Sequence, residues 1–305
     1  MIYLICYAAI IVFAAAIVYR IMDYVKKPLH VRWELYPVAH EAEKAEYGGG
    51  YLEETDWWKK PRKKSLIGEL KVMIPEILLL KAVWEHNRSL WYLTYPFHLG
   101  LYLIAGFIGL LSIGAVSNIL NISIWMPIAA LTNLLGPVGF VLCIYGACAL
   151  FYRRLKDPVL RNYSSYEHFF NLGLFAVTMV VAILTWLFVD PNFNMARAFT
   201  VNLITFNFGS MSSSLFNLQV VMGFIVMAYI PLTHMSHFFM KYFLYHDIRW
   251  GDEPTIDNPA TDAKIGIVLN YPIKWSASHI AGHGKNTWAE VATFNPAQEP
   301  PTAKE

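Results

Sequence analysis

WYLTYPFHLGLYLIAGFIGLLSIGAVSNI, residues 91–119, carries no Asp, Glu, Lys or Arg and contains one histidine, His98. An α-helix rises 1.5 Å per residue, so roughly 20 apolar residues cross the ~30 Å of bilayer hydrocarbon. The crossing counted within this stretch runs from about 93 to 119, and four similar runs occur at about 1–22, 125–152, 168–189 and 215–243. The first has no basic residue ahead of its apolar stretch and no clear small-residue cleavage site. It therefore reads as a retained helix rather than a signal peptide.

Composition points the same way. The chain is 56% hydrophobic and 15% charged, with a mean hydropathy of +0.39, which describes a bilayer protein rather than a pair of soluble domains. A net charge of +2 gives no ground for a nucleic-acid partner. Lipid is the main solvent. Cys6, Cys143 and Cys148 all lie inside apolar runs, where no disulfide framework is expected. Three scattered thiols cannot supply the four ligands of an iron–sulfur cluster, so any such cluster belongs to another subunit.

The positions of the charges set the topology. With five crossings, all but one of the 24 Lys and Arg fall on one side, and only Arg197 is left for the other. Positive loops stay in the cytoplasm, so the N-terminus is expected outside and the C-terminus inside a cell's inner (cytoplasmic) membrane. Two outer loops follow, at about 120–124 and 190–214. Trp91, Tyr92, Trp125, Tyr152, Trp186 and Tyr242 stand at run ends, as interfacial aromatics do.

Two cytoplasmic stretches are more than connections. Residues 25–64, with Gly48 to Gly50 and Trp57-Trp58, suit a surface docked to a partner. Ser65 to Arg88 is apolar but punctuated by Glu69, Lys71, Glu76, Lys81 and Glu85, with Pro75 in the middle, and reads as a kinked helix on the membrane face. The expected fold is an all-α integral membrane protein of five transmembrane helices with one interfacial cytoplasmic helix. Its parts are a first helix (1–22), a docking and interfacial segment (23–90), a four-helix bundle (91–245) and a cytoplasmic tail (246–305). That tail is rich in Pro, Asp and Asn, and is expected to wrap a partner or to be partly disordered.

Four of the ten histidines, His98, His168, His234 and His237, lie in or at the edge of the spans. Ionisable groups at membrane depth are costly and are functional candidates by default. His98 is seven residues from Trp91 and His237 six from Phe243, which puts each roughly 10 Å into its helix from the cytoplasmic end. Two neutral imidazoles at one level on different helices suit the axial positions of a haem iron. Alternatively they bond neighbouring carbonyls and hold helices together.

Phe97-His98-Leu99-Gly100 opening one helix, with Pro231 and then His237 closing a later one, resembles the cytochrome b gamma subunit of respiratory nitrate reductase. The resemblance extends to the membrane cytochromes b of heterodisulfide reductase and of sulfate-reducer redox complexes, and covers about residues 90–245. It implies haem b held between the second and fifth helices, exchanging electrons with quinone, menaquinone in the relatives. The implied partners are an iron–sulfur subunit of heterodisulfide reductase type on the cytoplasmic face and a periplasmic multihaem cytochrome c. The setting is anaerobic respiration.

In that pattern the inner haem ligands map onto His98 and His237, and the outer pair onto Ile108 and Gln219. Both outer ligands are missing together, so one haem is expected, near the cytoplasmic face. A second haem would need His168 and His234, or a methionine such as Met211 or Met222. His234 shares roughly a helix face with His237 and suits a propionate or a quinone oxygen. Arg88, Arg153, Arg154 and Lys241 stand at the inner rim, where each either pairs a propionate or serves as a positive-inside anchor. His86 reads as a surface residue. Gln219, an uncharged polar group in the outer half of its helix, needs a partner, and a quinone carbonyl or a facing hydroxyl would serve.

The expected role is an electron-transfer subunit of a quinone-linked oxidoreductase complex. A cofactor-free membrane anchor for a peripheral oxidoreductase is the alternative. A transporter would lead one to expect inverted repeats and helices broken in matching halves, and no such repeat is present.

Overall fold

The computed structural model describes residues 1–26, 66–122, 125–237, 259–275 and 284–294. The docking stretch 25–64 lies almost wholly outside the described residues, as do Lys241 and most of the C-terminal tail. The described residues are helical, without a strand.

Among the described residues, five helices are long and apolar enough to cross a membrane. They are α1 (Ile2–Lys26), α4 (Arg88–Ile119), α5 (Trp125–Lys156), α7 (Tyr166–Phe188) and α9 (Ser214–Tyr229). Between them lie α2 (Leu66–Leu78), α3 (Lys81–His86), the short α6 (Pro158–Asn162) and α8 (Asn194–Ile204). Past α9 come α10 (Pro259–Leu269) and α11 (Trp288–Ala292). The protein is thus an all-α membrane protein with five spans.

The chain forms two compact units, one of residues 1–16 and 72–234, the other of 17–71 and 235–305. In the first, the spans pack in sequence: α4 on α5, α5 on α7, α7 on α9. The α4–α5 contact is a seam of small residues. A Cβ placed on Gly100 would lie 2.6 Å from the Cys143 backbone nitrogen, and one on Gly146 would lie 2.5 Å from Phe97. Only glycine lets the two backbones approach so closely, which is how helices gain packing where lipid supplies no hydrophobic drive between them. The second and fifth spans, α4 and α9, are not among the extensively packed pairs.

The outer connection is not simply a loop. It contains α8, entered through Phe193 in the left-handed conformation (φ 53°). Phe193 is 2% exposed and wedges between the spans, its ring 4.8 Å from Phe107 and 6.4 Å from Phe140. Tyr3 and Cys6 of α1 close a neighbouring core with Phe199 and Phe216.

The kinked helix expected over Ser65 to Arg88 is two helices. Pro75 sits inside α2, yet the break comes at Leu79 and Leu80, the latter left-handed at φ 53°. Carbonyls at and just past the end of α2 take donors from α4: the Tyr102 hydroxyl to Ile77 at 2.7 Å, and Trp91 Nε1 to Leu79 at 2.8 Å. Those bonds satisfy acceptors that a helix end otherwise leaves to water.

The fifth span departs from its expected length. The run 215–243 reads as one helix, but α9 ends at Tyr229, followed by 3-10 turns at Ile230–Leu232 and His234–Ser236 with an extended Thr233 between them. Pro231 explains the break, since it has no N–H for the preceding turn and its ring crowds that turn's carbonyl. A depth for His237 counted along a continuous helix therefore does not apply.

In the second unit, the described part of the tail is folded around Ile273, which is 2% exposed. Its backbone N–H donates to the Asn286 carbonyl at 2.8 Å, and Trp275 and Trp288 meet at 6.3 Å. A capping box of Thr287 and Glu290 starts α11.

Candidate functional site

His98 sits two to three turns into α4, on the face that also carries Thr94 and Tyr102. Its Nδ1 lies 2.8 Å from the Thr94 carbonyl oxygen. A carbonyl only accepts, so Nδ1 carries the proton and the ring's lone pair is on Nε2. This is the tautomer of an imidazole that ligates a metal through Nε2, with its orientation set by the second nitrogen. The Tyr102 ring is 6.5 Å away and the Phe97 ring 5.7 Å. The donor set at His98 therefore fits an axial haem ligand. His98 belongs to the first unit and the exposed His237 to the second.

A second group gathers where α5, α7 and the turn after α9 meet, at the end of the spans that carries the basic residues. Asp157 caps α6 through the backbone N–H groups of Val159 and Leu160. Ser165 caps α7. Arg154 Nη1 donates to the Ser164 hydroxyl at 2.8 Å, which in turn donates to the Leu160 carbonyl at 2.6 Å. The Ser165 N–H donates to His168 Nδ1 at 3.1 Å, which leaves the His168 proton on Nε2.

His168 and His234, singled out separately in the sequence, lie in ring contact at 5.2 Å with a tilt of 39°. His234 Nδ1 donates to Glu167 Oε1 at 3.1 Å. The two rings are in direct contact, with the Nδ1 of His168 engaged by Ser165 and that of His234 by Glu167. One turn deeper, Asn171 is 4% exposed and accepts the Tyr229 hydroxyl at 2.8 Å through Oδ1. No hydrogen-bond partner for its Nδ2 is found among the described residues.

Sequence reading missed Asn171, Tyr229 and Glu167. The signal for Asn171 was present, since it stands three residues after His168 on one helix face, a polar group in an apolar run. The pairing across to α9 is tertiary and has no sequence signature.

Gln219 is half-buried on α9, and no partner for its amide is found among the described residues. Ile108, at the other position where an outer ligand would fall, is 55% exposed. Met211 packs beside the Tyr3, Phe199 and Phe216 core, and Met222 is half-buried on α9. Arg88 stacks over the Trp84 ring at 4.7 Å, while Arg153 donates to Ser89 at 3.3 Å.

At the opposite end, Arg197 of α8 is buried at 7% exposure. Its Nη1 donates to the Asn192 carbonyl at 2.6 Å and to Asn194 Oδ1 at 3.2 Å. Nη2 reaches Thr132 Oγ1 at 2.8 Å, Asn133 Oδ1 at 3.0 Å and the Ala129 carbonyl at 3.3 Å, all on α5. Burial pulls this guanidinium below its usual value, opposed by the Asp190 carboxylate. Asp190, 5% exposed, accepts from the Ala196 N–H at 2.9 Å. The one cation that the sequence set apart from the other Lys and Arg is thus a staple between α8 and α5.

No family model and no curated protein matches the chain.

Proposed function

We propose that the protein is a haem b subunit of a membrane redox complex, passing electrons between membrane quinone and an iron–sulfur partner on the cytoplasmic side. The observation that carries this is the tautomer of His98, an imidazole inside an apolar span with Nδ1 committed to the Thr94 carbonyl. His98 from the second span and His237 from beyond the fifth would hold one haem near the inner face. That group would supply one-electron oxidation and reduction, its potential tuned by ligand identity and burial. The protein's own part is to fix the ring of His98, to exclude water with Phe97 and Tyr102, and to present basic residues at one end.

That α4 and α9 are not an extensively packed pair supports the reading, because helices that clamp a porphyrin share few direct contacts. The charge asymmetry supports an inside C-terminus in the cytoplasmic membrane. The resemblance to the nitrate reductase gamma family supports menaquinone and a heterodisulfide reductase-like partner.

The experiment is a dithionite-reduced spectrum with haem stoichiometry on the purified chain, His98→Ala and His237→Ala. One haem per chain is expected, with the low-spin b-type bands lost in either variant. Absence of those bands from the wild type would leave the chain as a cofactor-free anchor.

A further inference from the structure

A groove of about 180 Å³ runs between α5 and α7, with Cys148, Phe151 and Tyr152 on one wall and Leu172, Gly173 and Ala176 on the other. Its lining carries no charged side chain. Cys148 and Tyr152 are exposed where it opens, and on a pair of spans that opening meets hydrocarbon. Phe151 stands edge-on to Phe169 at 5.2 Å and braces the two helices beside it. Gly173 keeps the space open, because a Cβ built there meets nothing within 4 Å. Glycine inside a helix is destabilising relative to alanine, and no close backbone approach accounts for this one.

Size bounds the occupant. One turn of an α-helix, about 10 Å across, fills on the order of 400 Å³, so a helix cannot enter the groove, whereas a single methylene chain can. Charge bounds it further. The last turn of α5 carries Arg153, Arg154 and Lys156. Arg153 turns to Ser89 and Arg154 to Ser164, while Lys156 Nζ lies 5.8 Å from the centre of the Tyr152 ring, a wall of the groove. Among the described residues no carboxylate pairs with Lys156. An apolar channel that ends at a cation matches an amphiphile with an anionic head, and basic groups between spans attract such head groups.

We propose that this groove holds one acyl chain of an anionic phospholipid whose phosphate is met by Lys156, at the end of the bundle that carries the basic residues. A zwitterionic lipid would fill the groove equally well but would bring its own ammonium to the same rim. The site requires neither haem nor quinone.

The test titrates the full chain in detergent with phosphatidylglycerol or phosphatidylcholine and reads retained lipid by native mass spectrometry. Saturation at one phosphatidylglycerol per chain is expected, about fivefold tighter than phosphatidylcholine, the worth of one basic residue at a lipid surface. Lys156→Gln should abolish the preference, and Gly173→Leu, which fills the open space, should weaken both lipids. A phosphatidylglycerol with a diazirine on its acyl chain is expected to label residues 147–155 and 172–176 of the wild type.

Equal affinity for the two lipids overturns the proposal, as does a preference unchanged in Lys156→Gln. Binding that never saturates, or labelling spread over all five spans, also overturns it and describes a diffuse lipid annulus. A chain that self-associates and retains no lipid there would give the groove to a second copy instead. Lys156 is exposed and the photolabelling uses the wild type, so the outcome does not hang on a variant that fails to fold.

Discussion

Arg197 and Asn171 are both buried polar side chains of the span bundle, one at each end, and their surroundings differ in kind. The guanidinium is met by five acceptor atoms from α5 and from the start of α8, with a carboxylate nearby. Asn171 has its amide oxygen answered by Tyr229, and no hydrogen bond to its Nδ2 is found among the described residues. The guanidinium ties α8 to α5 through many bonds, whereas the Asn171 amide ties α7 to α9 through one. The contrast separates a densely bonded end of the bundle from a sparsely bonded one.

The contrast breaks first at Arg197. Arg197→Leu strands acceptors on two helices and is expected to cost about 3 kcal/mol in reversible unfolding in detergent. Arg197→Lys should recover part of that, since it keeps the charge and loses the fork. A neutral result would remove the structural assignment.

The α4–α5 seam provides the next test. Gly100→Ala and Gly146→Ala each force backbone atoms apart and should cost about 1–3 kcal/mol. Gly173→Ala, with nothing within 4 Å of an added Cβ, should cost less than either. Equal losses at all three positions would mean the close approach is not what glycine serves.

Tyr229→Phe sharpens the other side. It unpairs Asn171 Oδ1 and should cost about 1 kcal/mol. Smallest is Glu167→Gln, where the partnership with His234 is half-exposed and screened, worth well under 1 kcal/mol in thermal midpoint. A loss at Glu167 larger than at Tyr229 would reverse the assignment of which bond sits in the dry interior.

The five spans were legible because hydropathy and charge report directly on the solvent each segment meets. The end of the fifth was not, since the apolar run continues past Tyr229 in the sequence while the backbone turns at Ile230–Leu232 and His234–Ser236, and only Pro231 announced it. Arg197 gave the sign of its side but not its burial, which depends on α8 folding back between span ends. His168 and His234 were each visible as histidines at a membrane edge. Their contact was not, because helical spacing fixes faces within one helix and says nothing of the facing one.

The glycine seam also divides the thiols by chemistry. Cys143 stands against Gly100 with no exposed surface, while Cys148, five residues on, is exposed and borders the apolar groove. A membrane-permeant maleimide therefore meets two cysteines of one helix that behave as different reagents. Adduct at Cys148 reports occupancy of the groove, and adduct at Cys143 reports that two helices have come apart.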